Sequence, residues 1–482
     1  MSKIVHRSRW AAAVVAVSVL VLIPGCSNWK DQLLSPQNPG LIDQGAVGSA
    51  AAATALKVGA IGKLRTLLNC SSGECMWEEA GNLADEFKNS DFQPDRQDID
   101  QRTMTTANAI LSGTGGFYAV STQIRGYIKD AITAEHKYNA QNKADIGELW
   151  LALAFVEMQL AEDFCNGIPL GSNTNGVVDY SSAEFTPLTN LQVYDLALKH
   201  VDSALAVVGP GTDSTSLLTI RQAALITRAR ILVDEGGAAN VAAAAALVPS
   251  SAVPSNYQYD FLSSPSSNAD DNGLWILNIS VSRITVSDSV DVFGGVTYTT
   301  ANALPFASAN DPRVPVLSGS QATPTVAAED GTTPMFIEQI WKNRDDPVPM
   351  VSGIDARLIE AEARLVATDL AGMTTILNAL RTTPPAIGTF TPAAMGSLAT
   401  PADQNSAVSL FFREKAFWTF GRGQRLGDLR RLIRQYGRTD DQVFPTGTYF
   451  KGGQPYGHDV NFPVPDVERV NPQFKGCIDR NA

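Results

Sequence analysis

Apolar residues recur every three or four positions through much of this chain, a period that predicts helices. Ile146, Leu149, Trp150, Leu153, Val156 and Leu160 share one helical face, and Leu191, Tyr194, Leu198, Val201, Leu205 and Val208 share another. Leu217 to Val233 continues the period, with Ala223, Ala224 and Ala229 small enough for close helix packing. Ala238 to Leu247 follows Gly236-Gly237 and stops before Pro249, the expected punctuation of a helix. Ile354, Leu358, Ala361 and Leu365, then Leu370, Met373, Leu377 and Leu380, predict a further pair. Between these blocks the period fails. Pro254, Pro265, Pro305, Pro312, Pro315, Pro324, Pro334, Pro347 and Pro349 interrupt residues 250–350, where only Leu274 to Ser280 and Arg283 to Val292 read as strands. Thr382 to Gln404 is a second irregular stretch, ahead of a last helix over about 405–437.

Antiparallel helices of this length joined by Gly- or Pro-containing turns resemble tetratricopeptide-type pairs, although no strict 34-residue repeat is present. The expectation is a mainly α fold in one domain, residues 41–482. Helical repeats occupy about 44–247 and 353–381, and a loop-rich region with short strands spans about 250–350. Loops that long in a compact domain are usually functional.

The N-terminus carries a different signal. Lys3, Arg7 and Arg9 precede an apolar run, Trp10 to Ile23, which ends in Ile23-Pro24-Gly25-Cys26. The run is too short for a membrane-spanning helix, which needs roughly 20 residues, and its ending resembles a bacterial lipobox. Residues 1–25 then form a signal peptide and Cys26 is the acylated N-terminus, with each buried methylene contributing about 0.8 kcal/mol to membrane attachment. Residues 26–40, with Pro36 and Pro39, read as a linker from lipid to domain.

Removing residues 1–25 takes away three basic groups and no acidic ones, so the net charge of −12 becomes −15. Such a surface repels phosphates, and no stretch interleaves Lys or Arg with aromatic residues, which argues against a nucleic-acid partner. Cys70, Cys75, Cys165 and Cys477 remain, an even number in a chain routed to an oxidising compartment. Of three possible connectivities, Cys70 with Cys75 is the favoured local pair, leaving Cys165 with Cys477. Loop entropy assigns about 2 kcal/mol to the first and about 5 to the second.

Catalytic and metal chemistry leave no clear trace. His136, His200 and His458 have no metal-ligand spacing among them, and no H-E-x-x-H, G-x-S-x-G, Walker or G-x-G-x-x-G motif is found. Asn268, Asp270 and Asn272 open a calcium-loop pattern, but Ile279 stands where a bidentate Glu is required. Glu78-Glu79, Asp85-Glu86 and Asp345-Asp346 read as ordinary solvated acidic pairs. Neither a cofactor nor a metal is expected.

The C-terminal third carries a family pattern. Glu414, Gly423, Arg425, Asp428, Leu429 and Arg431 match E-R-x-x-E-L-x-x-E-G-H-R-W-x-D-L-x-R, the last-helix pattern of the SusD/RagB family of outer-membrane nutrient-binding lipoproteins. Trp418, Arg422, Gln424 and Leu426 depart from it, so the chain resembles a divergent member. Asp355 to Leu365 is similar to the family's L-R-x-A-E-x-x-L-x-x-A-E-A helix, and Leu377 to Arg381 to its L-N-x-x-R-x-R segment. Phe462 to Arg469 followed by Asn471-Pro472 resembles its closing P-I-P-x-x-E-x-x-x-N-P. Gly167-Ile168-Pro169-Leu170 and Ala84-Asp85-Glu86 resemble its G-D-V-P-L and S-D-E elements.

From the residues themselves, Arg425 and Asp428 stand three apart on one helical face, where they can pair. Arg430 and Arg431 near the helix end favour its dipole. Glu414, Arg425 and Asp428 are therefore expected to form a partly buried polar network that holds the helix to the body.

The resemblance implies a non-catalytic cell-surface protein that captures an oligosaccharide, polysaccharide or other nutrient and delivers it to a TonB-dependent SusC-like outer-membrane transporter. A lipid-anchored helical scaffold for protein assembly is the alternative, and a surface hydrolase the least favoured. Family members recognise ligands through variable loops, so no binding residues transfer. Sugar faces pack on aromatic rings, which makes Phe92, Tyr298 and Trp341, with Arg96 as a polar contact, the candidate ligand-binding residues.

Overall fold

The computed structural model describes residues 48–69, 75–113, 115–171, 178–210, 214–267 and 270–482. The signal segment, Cys26, the linker, Cys70 and Asn268 lie outside the described residues.

Helices of four to twenty-two residues build the scaffold. They are α1 (Ala50–Leu68), α2 (Met76–Ala84), α3 (Pro94–Asp100), α4 (Ala109–Ser112), α5 (Phe117–Tyr138), α6 (Lys143–Asp163), α7 (Asn190–Val208), α8 (Thr215–Glu235) and α9 (Ala238–Leu247). After the loop-rich stretch come α10 (Gly353–Val366), α11 (Leu370–Thr382), α12 (Gln404–Trp418), α13 (Arg425–Tyr436) and α14 (Asp440–Val443). Neighbours in sequence pack together: α5 on α6, α6 on α7, α7 on α8, α8 on α9, and α10 on α11. Helix α6 is buried along most of its length because α1, α5, α7, α8 and α13 surround it. The fold is mainly α, as the apolar period predicts. Among the described residues, no helix is long and apolar enough to cross a membrane.

Four two-stranded antiparallel ladders hold the irregular region: β1 (Phe87–Asn89) with β3 (Ile284–Val286), β2 (Gln258–Phe261) with β8 (Val348–Ser352), β4 (Val290–Phe293) with β5 (Val296–Thr299), and β6 (Val316–Ser318) with β7 (Phe336–Glu338). The segment expected as a strand from Leu274 is instead a π-helical turn, Trp275–Ser280. A short apolar run has no period that separates a strand from a buried helical turn. Here Asn272 Oδ1 accepts from the Trp275 N–H at 3.1 Å, while Asn278 donates to the Ile284 carbonyl at 2.9 Å.

The expected single C-terminal helix is two. Helix α12 ends at Trp418 and α13 begins at Arg425, because Gly421 (φ +68°) and Gly423 (φ +64°) take the left-handed conformation in between. A Cβ on Gly423 would lie 1.9 Å from Trp77 Cδ1, so the break is also where α2 packs most closely. Cys165, just after α6, forms a disulfide with Cys477 across 312 residues of sequence and ties the C-terminal tail to the scaffold. Cys75 is also disulfide-bonded.

Gly423→Ala should combine a left-handed backbone cost with an overpacked ring, a loss of about 2–5 kcal/mol. Gly437, at φ +66° with open space around its Cβ position, supplies the control: Gly437→Ala should lose only about 1–2 kcal/mol. Urea denaturation of the two variants measures the difference, and equal losses would show that Trp77 does not set the helix break.

Candidate functional site

The Asp85-Glu86 pair fixes where the chain leaves the helical scaffold. Asp85 receives Arg425 through both Nε (2.6 Å) and Nη2 (3.0 Å), and also the Leu304 N–H at 2.8 Å. Glu86 Oε1 accepts from the Gly421 N–H at 3.1 Å. Burial pushes the Glu86 carboxyl up to about 8, with the Gly421 N–H opposing, so this neighbour is neutral at physiological pH.

Arg425 therefore does not pair with Asp428 along its own helix, contrary to the spacing. Its partner is 340 residues away in sequence, and Asp428 takes Lys415 at 2.6 Å and Arg431 at 3.2 Å. Glu414 binds Arg313 at 2.7 Å and Arg381 at 2.9 Å. Arg430 and Arg431 do not serve the end of their own helix either. Arg430 donates to the carbonyls of Ala161 and Phe164, both at 3.1 Å, at the end of α6, and Arg431 pairs with Glu362. Glu414, Arg425 and Asp428 are all buried, each in a different ion-pair set.

From this anchor, β1 runs along β3, with Phe87 opposite Val286 and Asn89 opposite Ile284. At its end the chain turns sharply. Asn89 Oδ1 accepts from the Asp91 N–H, and Asp91 Oδ1 from the Gln93 N–H, both at 2.8 Å. These are the side-chain-to-backbone bonds by which Asn and Asp nucleate turns. Pro94 then starts α3.

The tip of the turn is Phe92, 73% exposed, after the buried Ser90 and Asp91 and before the exposed Gln93. Arg96, only 1% exposed, lies beneath it, donating from Nε to Glu79 at 2.7 Å and from Nη1 to Asp91. Across the gap, the Arg283 carbonyl accepts the Ser90 N–H at 2.9 Å, and the Arg283 guanidinium meets Glu329 at 3.0 Å. Asp91, Phe92, Gln93, Arg96, Arg283 and Glu329 line an open cleft of about 260 Å³. It offers one exposed aromatic face ringed by amide, carboxylate and guanidinium groups of balanced charge, which suits a polyhydroxylated ligand better than a charged one.

Phe92 and Arg96 come together as candidates, whereas Tyr298 and Trp341 do not join them. Tyr298, on β5, packs against the Tyr449, Phe450 and Tyr456 cluster and is not among the cleft-lining residues. Trp341 is fully buried in the main core, its indole N–H bonded to the Pro347 carbonyl at 3.2 Å. Its place in a Pro-rich stretch does not expose it, because β7 and β8 carry that stretch inward. The residues that the sequence reading missed are Asp91, Gln93, Arg283 and Glu329. Asp91 and Gln93 were signalled by the Asn-x-Asp-x-x-Pro turn, while nothing in the sequence links them to Arg283 or Glu329.

Acidic partners, absent from the histidine spacing, surround His458: it meets Asp440 at 2.9 Å and Asp441 at 3.8 Å on the exposed surface. Glu78 and Glu79, expected on a solvated face, are buried, and burial raises Glu78 well above the ordinary carboxylate range.

The overall fold has counterparts among solved structures. A SusD superfamily protein from Bacteroides vulgatus aligns at a TM-score of 0.58 and 15% identity, over 90% of this chain and 99% of that one. A SusD-like carbohydrate-binding protein from Bacteroides fragilis aligns at 0.58 and 13% identity, over 89% and 99%. A SusD homologue from Bacteroides thetaiotaomicron aligns at 0.57 and 13%, over 89% and 97%. No family model matches the sequence, and no curated protein does. The chain has the SusD-like fold, as its C-terminal pattern led us to expect.

Beneath the turn, Asp100 Oδ2 accepts from the Asn89 N–H at 2.8 Å and the Tyr449 hydroxyl at 2.9 Å. Burial pushes its carboxyl up to about 7, partly offset by the Asn89 N–H and Lys88. The native state thus holds a proton that the unfolded chain releases above its ordinary pKa of about 3.9, so this group's contribution to stability falls as pH rises from about 4 to about 7. Asp100→Asn, which keeps an acceptor and cannot ionise, should gain stability relative to the wild type between pH 4.5 and pH 8 in urea titrations. A difference between the two proteins that does not change with pH would contradict this.

Proposed function

We propose that this protein is a non-catalytic, lipid-anchored nutrient-binding protein of the outer cell surface, which binds a glycan at the Phe92 cleft. It passes the ligand to a TonB-dependent SusC-like outer-membrane transporter. The observation that carries the reading is Phe92 itself. A phenyl ring is left in water at the tip of a turn whose backbone is braced by Asn89 and Asp91 over a buried Arg96, so the ordering cost of that backbone is met by the scaffold before any ligand arrives. The SusD-like fold and the carbohydrate-binding description of one structural counterpart support the ligand class. Cys26 at the end of a lipobox-like signal supports the anchor, with residues 26–40 spanning from membrane to body.

The roles proposed for the cleft residues follow from their geometry. Phe92 stacks on a sugar ring face, Arg283 and Glu329 meet hydroxyls from the far wall, and Gln93 adds an amide. Arg96, already held by Glu79 and Asp91, keeps Asp91 and the turn in place.

Phe92→Ala should weaken glycan binding about tenfold or more, by loss of a stacking contact of about 0.5–1.5 kcal/mol together with its buried area, while leaving the thermal midpoint nearly unchanged. Trp341→Ala should do the reverse in kind, losing about 3–5 kcal/mol of stability as a core cavity. Isothermal titration with a glycan identified on an array, beside thermal melts, separates the two. Unchanged affinity in Phe92→Ala would remove the cleft from the function, and turnover of the glycan by the purified protein would remove the non-catalytic reading.

A further inference from the structure

The two walls of the Phe92 cleft, the turn 89–93 and the loop that carries Glu329, are far apart in sequence. Ser90 joins them: its carbonyl accepts the Asp330 N–H at 3.0 Å, and its hydroxyl donates to the Ser282 carbonyl at 2.8 Å. Among the described residues, backbone bonds between the walls end there. Past Ser90 a third segment intervenes. The chain reverses at Gly452 (φ +85°) and Gly453 (φ +70°), which sets Thr448 opposite Pro455, and the Tyr449 hydroxyl pins this hairpin to Asp100 at 2.9 Å.

Lys451, 8% exposed, belongs to this hairpin. Its Nζ donates to the Asp91 carbonyl at 3.0 Å and meets Asp330 Oδ2 at 2.7 Å, so one ammonium holds the residue before Phe92 and the residue after Glu329. Both partners use their remaining acceptors within their own walls. The Asp91 carboxylate takes Arg96 and the Gln93 N–H, while Asp330 Oδ1 accepts from the Thr332 and Thr333 N–H groups, both at 2.8 Å. Burial would raise the Asp330 carboxyl, but Lys451 and Thr333 hold it below its ordinary value, so it is ionised. A charge-assisted bond of this kind is stronger than a neutral one.

We propose that Lys451, which is not among the cleft-lining residues, is the positioning residue of the glycan site, fixing the gap between Phe92 and the Glu329 wall before a sugar enters. The proposal rests on the reading of the Phe92 cleft as that site. Each wall keeps its internal bonds without the ammonium, so its loss frees the separation of the walls and leaves each of them folded. A glycan must then order that separation on binding, and affinity falls by the cost.

Two variants test it. Lys451→Met removes the ammonium and keeps most of the stem. Lys451→Met combined with Asp330→Asn also removes the carboxylate charge that the first variant leaves unpaired, yet keeps an acceptor for the Thr332 and Thr333 N–H groups. Amide hydrogen exchange of the ligand-free proteins should be faster at 89–93 and 328–333 in both variants and unchanged in α5–α8. Calorimetric titration with the free oligosaccharide that wild type binds most tightly on an array should show about tenfold weaker binding in both, while the double variant melts above the single one. Affinity that recovers in the double variant along with the thermal midpoint would mark Lys451 as merely structural and overturn the proposal. So would wild-type exchange at both segments in Lys451→Met. Undiminished affinity in Lys451→Met beside weakened binding in Phe92→Ala overturns the role of Lys451 alone, whereas undiminished affinity in both overturns the cleft reading and this proposal with it.

Discussion

The buried pair between Asp85 and Arg425 is the contact on which the site depends. Removing either charge alone would strand the other in a low-dielectric interior, a penalty of about 3–5 kcal/mol, and both members are almost wholly excluded from solvent. The pair therefore acts as a position selector, favouring one relative placement of α2 and α13. Glu86 completes the junction by taking the Gly421 N–H with a neutral carboxyl, which avoids a second negative charge beside Asp85. Everything from β1 to Phe92 extends from this point.

The departures from the SusD/RagB last-helix pattern become intelligible at the same junction. Arg422 and Gln424, in place of the pattern's Glu and His, both reach Asp355 Oδ1, at 2.8 and 3.0 Å. Asp355 in turn caps α10 by accepting the Ser352 N–H at 2.6 Å, so the changed residues join one hydrogen-bonded unit that links α10 to the α12–α13 break. Trp418, where the pattern has its second Glu, is a core residue with Arg313 5.2 Å from its ring. Within a SusD-like fold, these residues give the junction its own hydrogen-bonded set.

Helices whose apolar residues keep the helical period over several turns were legible in the sequence, α6 to α8, α10 and α11 among them, because the period persists whether one face or, as in α6, nearly the whole helix is buried. The Cys165–Cys477 bridge was legible from pair counting together with the export that the N-terminal pattern leads one to expect. What could not be read was long-range choice of partner. Arg425 has Asp428 one turn away and Asp85 far off in sequence, and only the packed structure brings the second within reach. The helix break was hidden because glycine also occurs within helices, and the need for a left-handed conformation at Gly423 arises from the Trp77 ring. Phe92 and Arg96 were chosen because an aromatic ring in a loop suits a sugar face, and they do share a cleft, whereas Trp341 shows that an aromatic in a Pro-rich stretch can be pulled into the core by its flanking strands.

The most direct test of the account is a crystal structure of the protein with a glycan selected from an array. We predict a sugar ring lying on the face of Phe92, its hydroxyls bonded to the cleft groups Gln93, Arg283 or Glu329, with the Asp85–Arg425 pair intact and the scaffold unmoved. An ordered glycan elsewhere, such as along the α5–α8 helices with the Phe92 cleft empty, would contradict it.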